Sequence, residues 1–176
     1  SAEYLIEQGF QRVVIATGVT PRVPHIDGID HPKVVSYIDA ITGKKPIGRR
    51  VAIIGSGGIG FDTAILLTTP NHPHSVEYYL AEWGVDTTYH NRGGIMPPVK
   101  EEEVRQVWIL QRSKGKIGSK LGKTTGWAHR MSLKNRGVQM IGEVEYQRID
   151  DEGLHISIKG ESQVLPVDHV ILCAGQ

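Results

Sequence analysis

One stretch of sequence decides the fold of this 176-residue chain: Arg49–Arg50–Val51–Ala52–Ile53–Ile54–Gly55–Ser56–Gly57–Gly58–Ile59–Gly60–Phe61–Asp62–Thr63–Ala64. It combines an uninterrupted apolar run, glycines spaced G-x-G-x-x-G and the apolar pattern of a short helix. An uninterrupted apolar run is typical of a parallel strand that is covered on both faces. Strand, glycine turn and helix in this order predict a site for the pyrophosphate of a dinucleotide.

Each glycine of this spacing has a physical role in such a site. Gly55 permits the tight turn, Gly57 leaves room for the pyrophosphate, and Gly60 lets the helix pack closely against the strand. The helix directs its unpaired N–H groups and its positive dipole end at the phosphates. A glycine-rich loop without a ligand is the alternative, and the order of the elements disfavours it. The residues expected to contact the cofactor here are Gly55, Ser56, Gly57, Gly58, Ile59 and Gly60.

Composition and charge narrow the classes of function. The 20 basic and 19 acidic residues nearly cancel, so we expect neither nucleic acid nor a membrane surface as a partner. No apolar run approaches the roughly 20 residues that span a bilayer, and the start of the chain, Ser1–Glu7, lacks the basic region of a signal peptide. Cys173 is the only cysteine, which excludes an internal disulfide, a Cys-x-x-Cys redox pair and an iron–sulfur cluster held by this chain alone. These features predict a cytoplasmic location.

Apolar periodicity and turn residues predict the remaining elements. Helices are expected over residues 2–8, 36–41, 76–83 and 125–136, besides the one that ends at 68. Strands are expected over residues 11–16, 51–54, 104–110, 138–141, 144–149, 154–159, 163–167 and 167–173. Ser36 or Asp39 is a candidate cap for one helix and Thr124 or Thr125 for another, which Gly137 ends. The fold class is therefore α/β: a Rossmann-like domain with a parallel sheet and an antiparallel three-strand meander.

The interval over residues 69–103 is unusually long for a connection between a helix and the next strand, and it is rich in proline. It predicts an insertion at about 70–103 that covers the nucleotide or contacts another domain, with Trp83 as its anchor. His72 and His74 have no convincing third ligand there, so no metal site is predicted. The chain opens partway through an αβ unit and stops after the Ala174–Gly175 turn, so we expect it to be a piece of a larger protein.

The residues after the second nucleotide-binding strand bear on the choice between NAD and NADP. An acidic residue there binds the ribose of NAD, whereas arginine accommodates the 2′-phosphate of NADP. Here the strand is followed by Gln111, Arg112, Ser113 and Lys114, with no carboxylate. The planar fork of Arg112 suits a phosphate, Lys114 adds a mobile charge and Ser113 a hydroxyl. The alternative is a solvated basic loop. We favour NADP(H), with Gln111, Arg112, Ser113, Lys114 and Lys123 as contacts.

Two stretches resemble the strands that connect the FAD-binding and NAD(P)H-binding domains in two-dinucleotide flavoproteins of the glutathione-reductase type. Val13–Val14–Ile15–Ala16–Thr17–Gly18, with its continuation to Pro24, matches the strand that leaves the FAD domain, and Val170–Gly175 matches the strand that returns. The resemblance implies a fold of the glutathione-reductase type with FAD at the shared junction. The residues that it places near FAD are Ala16, Thr17, Gly18, Ala174 and Gly175.

The chain more closely resembles the bacterial NADPH-dependent 2,4-dienoyl-CoA reductase family. Four stretches carry this resemblance: Ile26–Val34, Gly57–Ala64, Glu82–Trp83–Gly84–Val85–Asp86 and Leu121–Gly122–Lys123–Thr124–Thr125–Gly126–Trp127. Members combine a TIM barrel that holds FMN, an iron–sulfur cluster, an FAD domain and an NADPH domain. The resemblance implies that NADPH reduces FAD and that electrons pass through the cluster to FMN, which reduces 2,4-dienoyl-CoA in fatty acid β-oxidation.

On this resemblance the chain is the electron-entry module of an oxidoreductase. Residues 1–24 are then a remnant of the FAD domain, 25–48 a connector, and 49–176 the NAD(P)H-binding domain with its insertion. The partners implied are NADPH and the FAD domain and TIM barrel of the same polypeptide. FMN and the iron–sulfur cluster belong to the parent protein only. No catalytic residue is assigned to this chain, which is not expected to turn over by itself.

Other interpretations remain open. A related flavin oxidoreductase of the trimethylamine dehydrogenase or enoate reductase group would use the same module with another substrate. A non-enzymatic nucleotide-binding domain would use the fold without hydride transfer. A thioredoxin-reductase-like role is disfavoured because the cysteine pair is missing. The stretch Gly122–Thr125 is not a P-loop, since Ile117 stands where the earlier glycine is required.

Overall fold

The computed structural model describes residues 1–70, 75–100 and 103–175, and the strands in these ranges form two sheets. One sheet is five-stranded and parallel, and the other is three-stranded and antiparallel. The strands of the parallel sheet are β1 (Val34–Ser36), β2 (Arg50–Ile54), β3 (Gln106–Leu110), β4 (Gln139–Ile141) and β8 (His169–Leu172). The antiparallel meander consists of β5 (Val144–Ile149), β6 (Leu154–Ile158) and β7 (Glu161–Leu165).

The parallel sheet has the strand order β1-β8-β2-β3-β4, with β2 at its centre. Ile54 lies level with Leu110 of β3 on one side and with Leu172 of β8 on the other. Because all five strands run in the same direction, their carboxyl ends meet at one edge of the sheet. The glycine turn after β2 therefore lies at this carboxyl edge, between the ends of β3 and β8.

Both faces of the parallel sheet are covered, which explains the uninterrupted apolar run of β2. Val51 and Ile53 face a core shared with the helices, whereas Ala52 and Ile54 face a second core shared with the meander. All four residues are at most 2% exposed. Alternate side chains of one strand thus stabilise two different layers.

Five α-helices are described: α1 (Ala2–Glu7), α2 (Tyr37–Ile41), α3 (Gly58–Thr68), α4 (Val76–Glu82) and α5 (Gly126–Asn135), with a short 3₁₀ helix at Arg92–Gly94. Ser36 caps α2 as predicted, because its hydroxyl oxygen accepts the Asp39 N–H at 3.1 Å. Gly137 follows α5 with a φ of 76°, as predicted for its C-terminus. Thr125, one of the two predicted caps, is the N-cap residue of α5, but its backbone is helical rather than extended and its side chain makes no capping hydrogen bond.

The strand predicted over residues 11–16 is also wrong. This segment has no regular structure, and Val14 and Ile15 are 89% and 83% exposed. A strand needs a neighbour to pair its N–H and C=O groups, and none of the described strands pairs with this segment. Its high β-propensity by itself does not produce a strand.

One strand was not predicted. β1 is a three-residue strand that pairs with β8, from Val34–Val170 to Ser36–Leu172. It lies inside a connector rich in proline and glycine, and three residues are too few for an apolar period to show. The other predicted helices and strands form within a few residues of their expected bounds, and the prediction of a parallel sheet with an antiparallel meander is confirmed.

None of the helices in the described part of the chain has the length and apolar character needed to cross a membrane.

Candidate nucleotide site

The candidate site lies where β2 ends and α3 begins. The Gly55 N–H donates to the Leu110 carbonyl of β3 at 3.0 Å, and the Cys173 N–H donates to the Ile54 carbonyl at 2.8 Å. These two bonds hold the turn between its neighbouring strands, at the edge where α/β sheets bind ligands. The sequence prediction of this location rests on the order of elements, and the observed topology agrees with it.

Two glycines of the fingerprint are required by close packing. Gly55 has a φ of 119°, and a Cβ atom on it would overlap the Cys173 carbonyl. A Cβ atom on Gly60 would overlap the Gly55 carbonyl, so its absence brings the first turn of α3 against the end of β2. The roles predicted for these two glycines, a tight turn and close helix packing, match these contacts.

The N-terminus of α3 is open. Gly57 is the N-cap residue and supplies no side-chain hydrogen bond, so the first N–H groups of the helix receive no cap from it. Gly57 and Gly58 are exposed, and apart from their chain neighbours and the backbone of α3 itself no atom lies within 4 Å of where a Cβ would stand on either residue. An uncapped helix end with room above it binds anions through its N–H groups and dipole.

Gln111 links the glycine turn to the loop after β3, a link that the sequence pattern did not indicate. Gln111 is 9% exposed as a whole residue. The Oε1 atom accepts the Ser56 hydroxyl at 2.5 Å, and the Nε2 atom donates to the carbonyls of Ser113 at 3.0 Å and Gly115 at 3.4 Å. The amide of Gln111 is thus engaged within the protein, and its predicted contact with the cofactor stays a prediction.

The cations predicted to bind a 2′-phosphate lie at the carboxyl edge. Arg112, Ser113 and Lys114 are exposed and follow β3 directly, and no Asp or Glu occurs between Gln111 and Lys123. Burial raises the pKa of Tyr146 on β5 above its usual value, and the positive charge of nearby Arg112 opposes this shift. Arg112 is therefore near Tyr146 of the meander.

The rest of the β3–α5 loop packs against α3. A Cβ atom on Gly118 would come within 2.7 Å of the Phe61 ring, and the Gly118 carbonyl accepts a hydrogen bond from Arg130 Nη1 at 2.9 Å. Ile117 is buried in the helical core, with Leu121 packed against that core. Lys123 is exposed in this loop, and no hydrogen bond connects it to the glycine turn among the described residues.

The residues that the resemblance places near FAD lie in two segments, and Ala174 of the second segment adjoins the glycine turn, since its backbone nitrogen is 3.2 Å from where a Cβ on Gly55 would stand. Ala16, Thr17 and Gly18 are exposed in the irregular N-terminal segment. Ala174 and Gly175 follow β8, and the Gly175 carbonyl accepts the Arg22 N–H at 2.9 Å. This bond joins the segment that follows residue 18 to the end of the segment that follows β8, and the predicted contacts of both with FAD stay predictions.

The insertion packs on the helical layer. Glu82, at the end of α4, pairs with Arg136 at 2.9 Å, and both side chains are largely buried, at 11% and 16% exposure. The Trp83 ring packs edge-on against Trp127 of α5, with centroids 6.3 Å apart. Trp83 thus contacts α5, while the role proposed for the insertion toward the nucleotide or another domain stays a prediction.

Two further groups of chemical interest lie elsewhere. Asp150, Glu152 and His155 bring their ligand atoms within 4.8 Å of one another at the β5–β6 turn. Asp150 there accepts hydrogen bonds from His155, Arg148 and two backbone N–H groups, which closes the hairpin. His72 and His74 lie outside the described residues.

Cys173 is buried as predicted, and burial raises the pKa of its thiol to about 11, so it is a poor nucleophile at neutral pH.

Comparison with known proteins shows which family and which relatives the chain resembles. Residues 5–176 match the pyridine nucleotide-disulphide oxidoreductase family. A metal reductase of Desulforamulus reducens is 29% identical over 97% of this chain and 25% of its own length. A cinnamate reductase of Clostridium sporogenes is 42% identical over a shorter stretch, 38% of this chain and 10% of its own length. The structure of 2-naphthoyl-CoA reductase with 2-naphthoyl-CoA matches with a TM-score of 0.65 and 25% identity over 91% of this chain and 19% of its own.

The chain thus spans a quarter or less of the length of each of these proteins. The family match covers nearly the whole chain, and the two sheets have the arrangement of a glutathione-reductase-type domain. The chain therefore belongs to the pyridine nucleotide-disulphide oxidoreductase family, which implies FAD and NAD(P)H as cofactors.

Proposed function

We propose that this chain binds NADPH and is the electron-entry module of a larger flavin reductase. One observation carries the proposal: the uncapped N-terminus of α3, with open space over Gly57, lies at the same sheet edge as the exposed Arg112 and Lys114. The helix end suits a pyrophosphate, and the cations suit a second phosphate. A site for NAD would instead carry a carboxylate after β3.

The described residues fit the nucleotide at two points. The N–H groups of Gly58 and Ile59 would hold the pyrophosphate, and Arg112 with Lys114 would hold the 2′-phosphate. When bound, NADPH supplies a hydride, and FAD at the domain junction is its proposed acceptor. Ala16, Thr17, Gly18, Ala174 and Gly175 are the proposed contacts of this chain on the FAD side.

For the final acceptor we propose a 2,4-dienoyl-CoA thioester, on the resemblance of the four stretches given above. Two relatives are named as reductases of unsaturated acyl compounds, one of 2-naphthoyl-CoA and the other of cinnamate. Their names support the proposal that the electron acceptor has a double bond conjugated to a carbonyl. The local 42% identity to cinnamate reductase favours a second candidate, a 2-enoate acceptor for the same module. Turnover of the full-length protein with each acyl compound distinguishes the two.

The first test measures nucleotide binding by calorimetry at low salt. The oxidised forms NADP⁺ and NAD⁺ carry no hydride, so the titration is not complicated by turnover. We expect NADP⁺ to bind more tightly than NAD⁺. Arg112→Ala removes charged hydrogen bonds, so it is expected to weaken NADP⁺ binding by about 1.5–3 kcal/mol and to leave NAD⁺ binding nearly unchanged.

Lys44→Ala is the matched control. Lys44 is an exposed cation in the α2–β2 connection, which leads to the amino end of β2 and so lies at the opposite edge of the sheet. Its removal is expected to change neither affinity. Equal NADP⁺ affinity in Arg112→Ala and the unsubstituted protein would contradict the assignment. A bound flavin that stays oxidised when NADPH is added anaerobically would favour the non-enzymatic interpretation.

A further inference from the structure

Gln111 is the point at which three parts of the candidate site meet. Its backbone N–H donates to the Ile141 carbonyl at the end of β4, at 2.9 Å, and its own carbonyl accepts the Val144 N–H at 3.0 Å. These bonds fix its backbone between the parallel sheet and the meander. Its side chain then connects Ser56, in the glycine turn, with the carbonyls of Ser113 and Gly115 in the next loop.

The chemistry of the partners determines how the Gln111 amide is oriented. The Ser113 and Gly115 carbonyls only accept hydrogen bonds, so the NH₂ group must face them. The amide oxygen therefore faces Ser56, and the Ser56 hydroxyl must be the donor in their 2.5 Å contact. Ser56 thus offers no hydroxyl proton to a phosphate while this bond is made, and its side chain supports the turn instead.

The two carbonyls bound by Gln111 flank Lys114 in the sequence. The loop is therefore closed around the buried amide, and Arg112, Ser113 and Lys114 remain exposed on its outer side. Residues 112–116 are all exposed and have little side-chain packing to order them, whereas Ile117 and Gly118, which follow them, pack on the helical layer. The hydrogen bonds of the Gln111 amide tie residues 113–115 to the glycine turn.

We propose that Gln111 is a positioning residue that sets selectivity for 2′-phosphorylated nucleotides. It holds the Arg112–Lys114 loop at a fixed place relative to the glycine turn, so that the pyrophosphate and the 2′-phosphate of one nucleotide are bound together. This inference rests on the proposed function. The inference goes beyond the proposed function because it assigns the selectivity for NADP(H) to a buried neutral amide that need not touch the nucleotide.

Gln111→Met in the full-length protein is the decisive variant, because it keeps the length of the side chain and adds no charge. It removes both donors to the loop and the acceptor of Ser56. We expect NADP⁺ binding, measured by calorimetry, to weaken about tenfold, and NAD⁺ binding to change less than about twofold. A purely structural role would weaken both nucleotides alike, so the NADP⁺/NAD⁺ affinity ratio separates positioning from folding.

Ser56→Ala supplies an independent test that keeps the Gln111 side chain and its hydrogen bonds to the loop. It removes only the bond between the turn and Gln111, so the affinity ratio is expected to fall by about threefold. In the Gln111→Met background the same substitution is expected to have no further effect, because the bond is already lost. If Gln111→Met does not fold, the ratio measured for Ser56→Ala decides the question by itself.

The outcomes separate this inference from the function on which it rests. If the unsubstituted protein shows no preference for NADP⁺, the proposed function fails and the inference fails with it. A preference that disappears in Arg112→Ala but is unchanged in Gln111→Met and in Ser56→Ala upholds the function and overturns the positioning role. Equal loss of both nucleotides in Gln111→Met also overturns it.

Discussion

At the scale of single residues, glycines of one motif serve different purposes. Gly60 is needed for packing, because a Cβ atom there would overlap the Gly55 carbonyl. Gly57 has nothing within 4 Å of the same position and an ordinary φ of −80°. Its lack of a side chain is therefore unnecessary for the fold. The missing side chain of Gly57 instead leaves an open space in which a ligand could lie.

Alanine substitution at these two glycines should separate stability from binding. Gly60→Ala forces backbone atoms apart, so we expect it to lower the free energy of unfolding by about 1–3 kcal/mol in denaturant titrations. Gly57→Ala is expected to change the free energy of unfolding by less than about 0.5 kcal/mol. It should nevertheless weaken NADP⁺ binding several-fold in calorimetry, since its methyl group enters the open space. Unchanged binding in Gly57→Ala would contradict the placement of the pyrophosphate.

At the scale of elements, the insertion is held to the domain by a largely buried ion pair. Arg136 follows α5 and donates from Nε to Glu82 at 2.9 Å and from Nη1 to the Thr69 hydroxyl at 2.8 Å. It therefore joins the end of α3, α4 and the end of α5. A charge that is buried in this way depends on its partner to offset lost solvation.

Removing one partner of this pair should cost more than removing both. Arg136→Met leaves the Glu82 carboxylate buried without its cation, and we expect about 3 kcal/mol of destabilisation in denaturant titrations. Adding Glu82→Gln to Arg136→Met removes the unpaired charge and should recover about 1–2 kcal/mol. Lys134→Met, which removes an exposed cation from the last turn of α5, is the control and should change stability by less than about 0.5 kcal/mol. Equal destabilisation in the single and double variants would show that the cost does not come from the unpaired Glu82 carboxylate.

At the scale of the whole molecule, charge is nearly balanced, with a formal net charge of +1. Attraction of an anionic nucleotide must therefore come from a local group of cations. The β3–α5 loop supplies such a group over residues 112–123, where Arg112, Lys114, Lys116, Lys120 and Lys123 are exposed and carboxylates are absent. Charges on the surface are screened over about 10 Å at 0.1 M salt.

Salt should therefore weaken NADP⁺ binding more than NAD⁺ binding. Raising ionic strength from about 0.05 M to about 0.5 M screens the exposed cations, and NADP⁺ carries one phosphate more than NAD⁺. We expect the NADP⁺/NAD⁺ affinity ratio from calorimetry to fall several-fold over this range. In Arg112→Ala the ratio should depend less on salt. A ratio independent of ionic strength would argue against recognition of the extra phosphate by exposed cations.

The sequence by itself determined the local elements of this protein. The apolar run of β2, the glycine spacing and the start of α3 follow from short-range requirements of backbone geometry and burial. The Ser36 cap and the Gly137 terminus of α5 were predictable for the same reason, because each depends on residues within one helical turn. The parallel sheet and the meander followed from the change of apolar period along the chain.

Only the tertiary structure decided which segments pair and which polar groups meet. Residues 11–16 have the composition of a strand and yet form none, whereas the three residues of β1 form one because β8 lies beside them. The Ser56–Gln111 bond joins positions 55 residues apart, and the Glu82–Arg136 pair joins positions 54 apart. Pairing and burial depend on neighbours that are distant in the chain, so no local pattern encodes them.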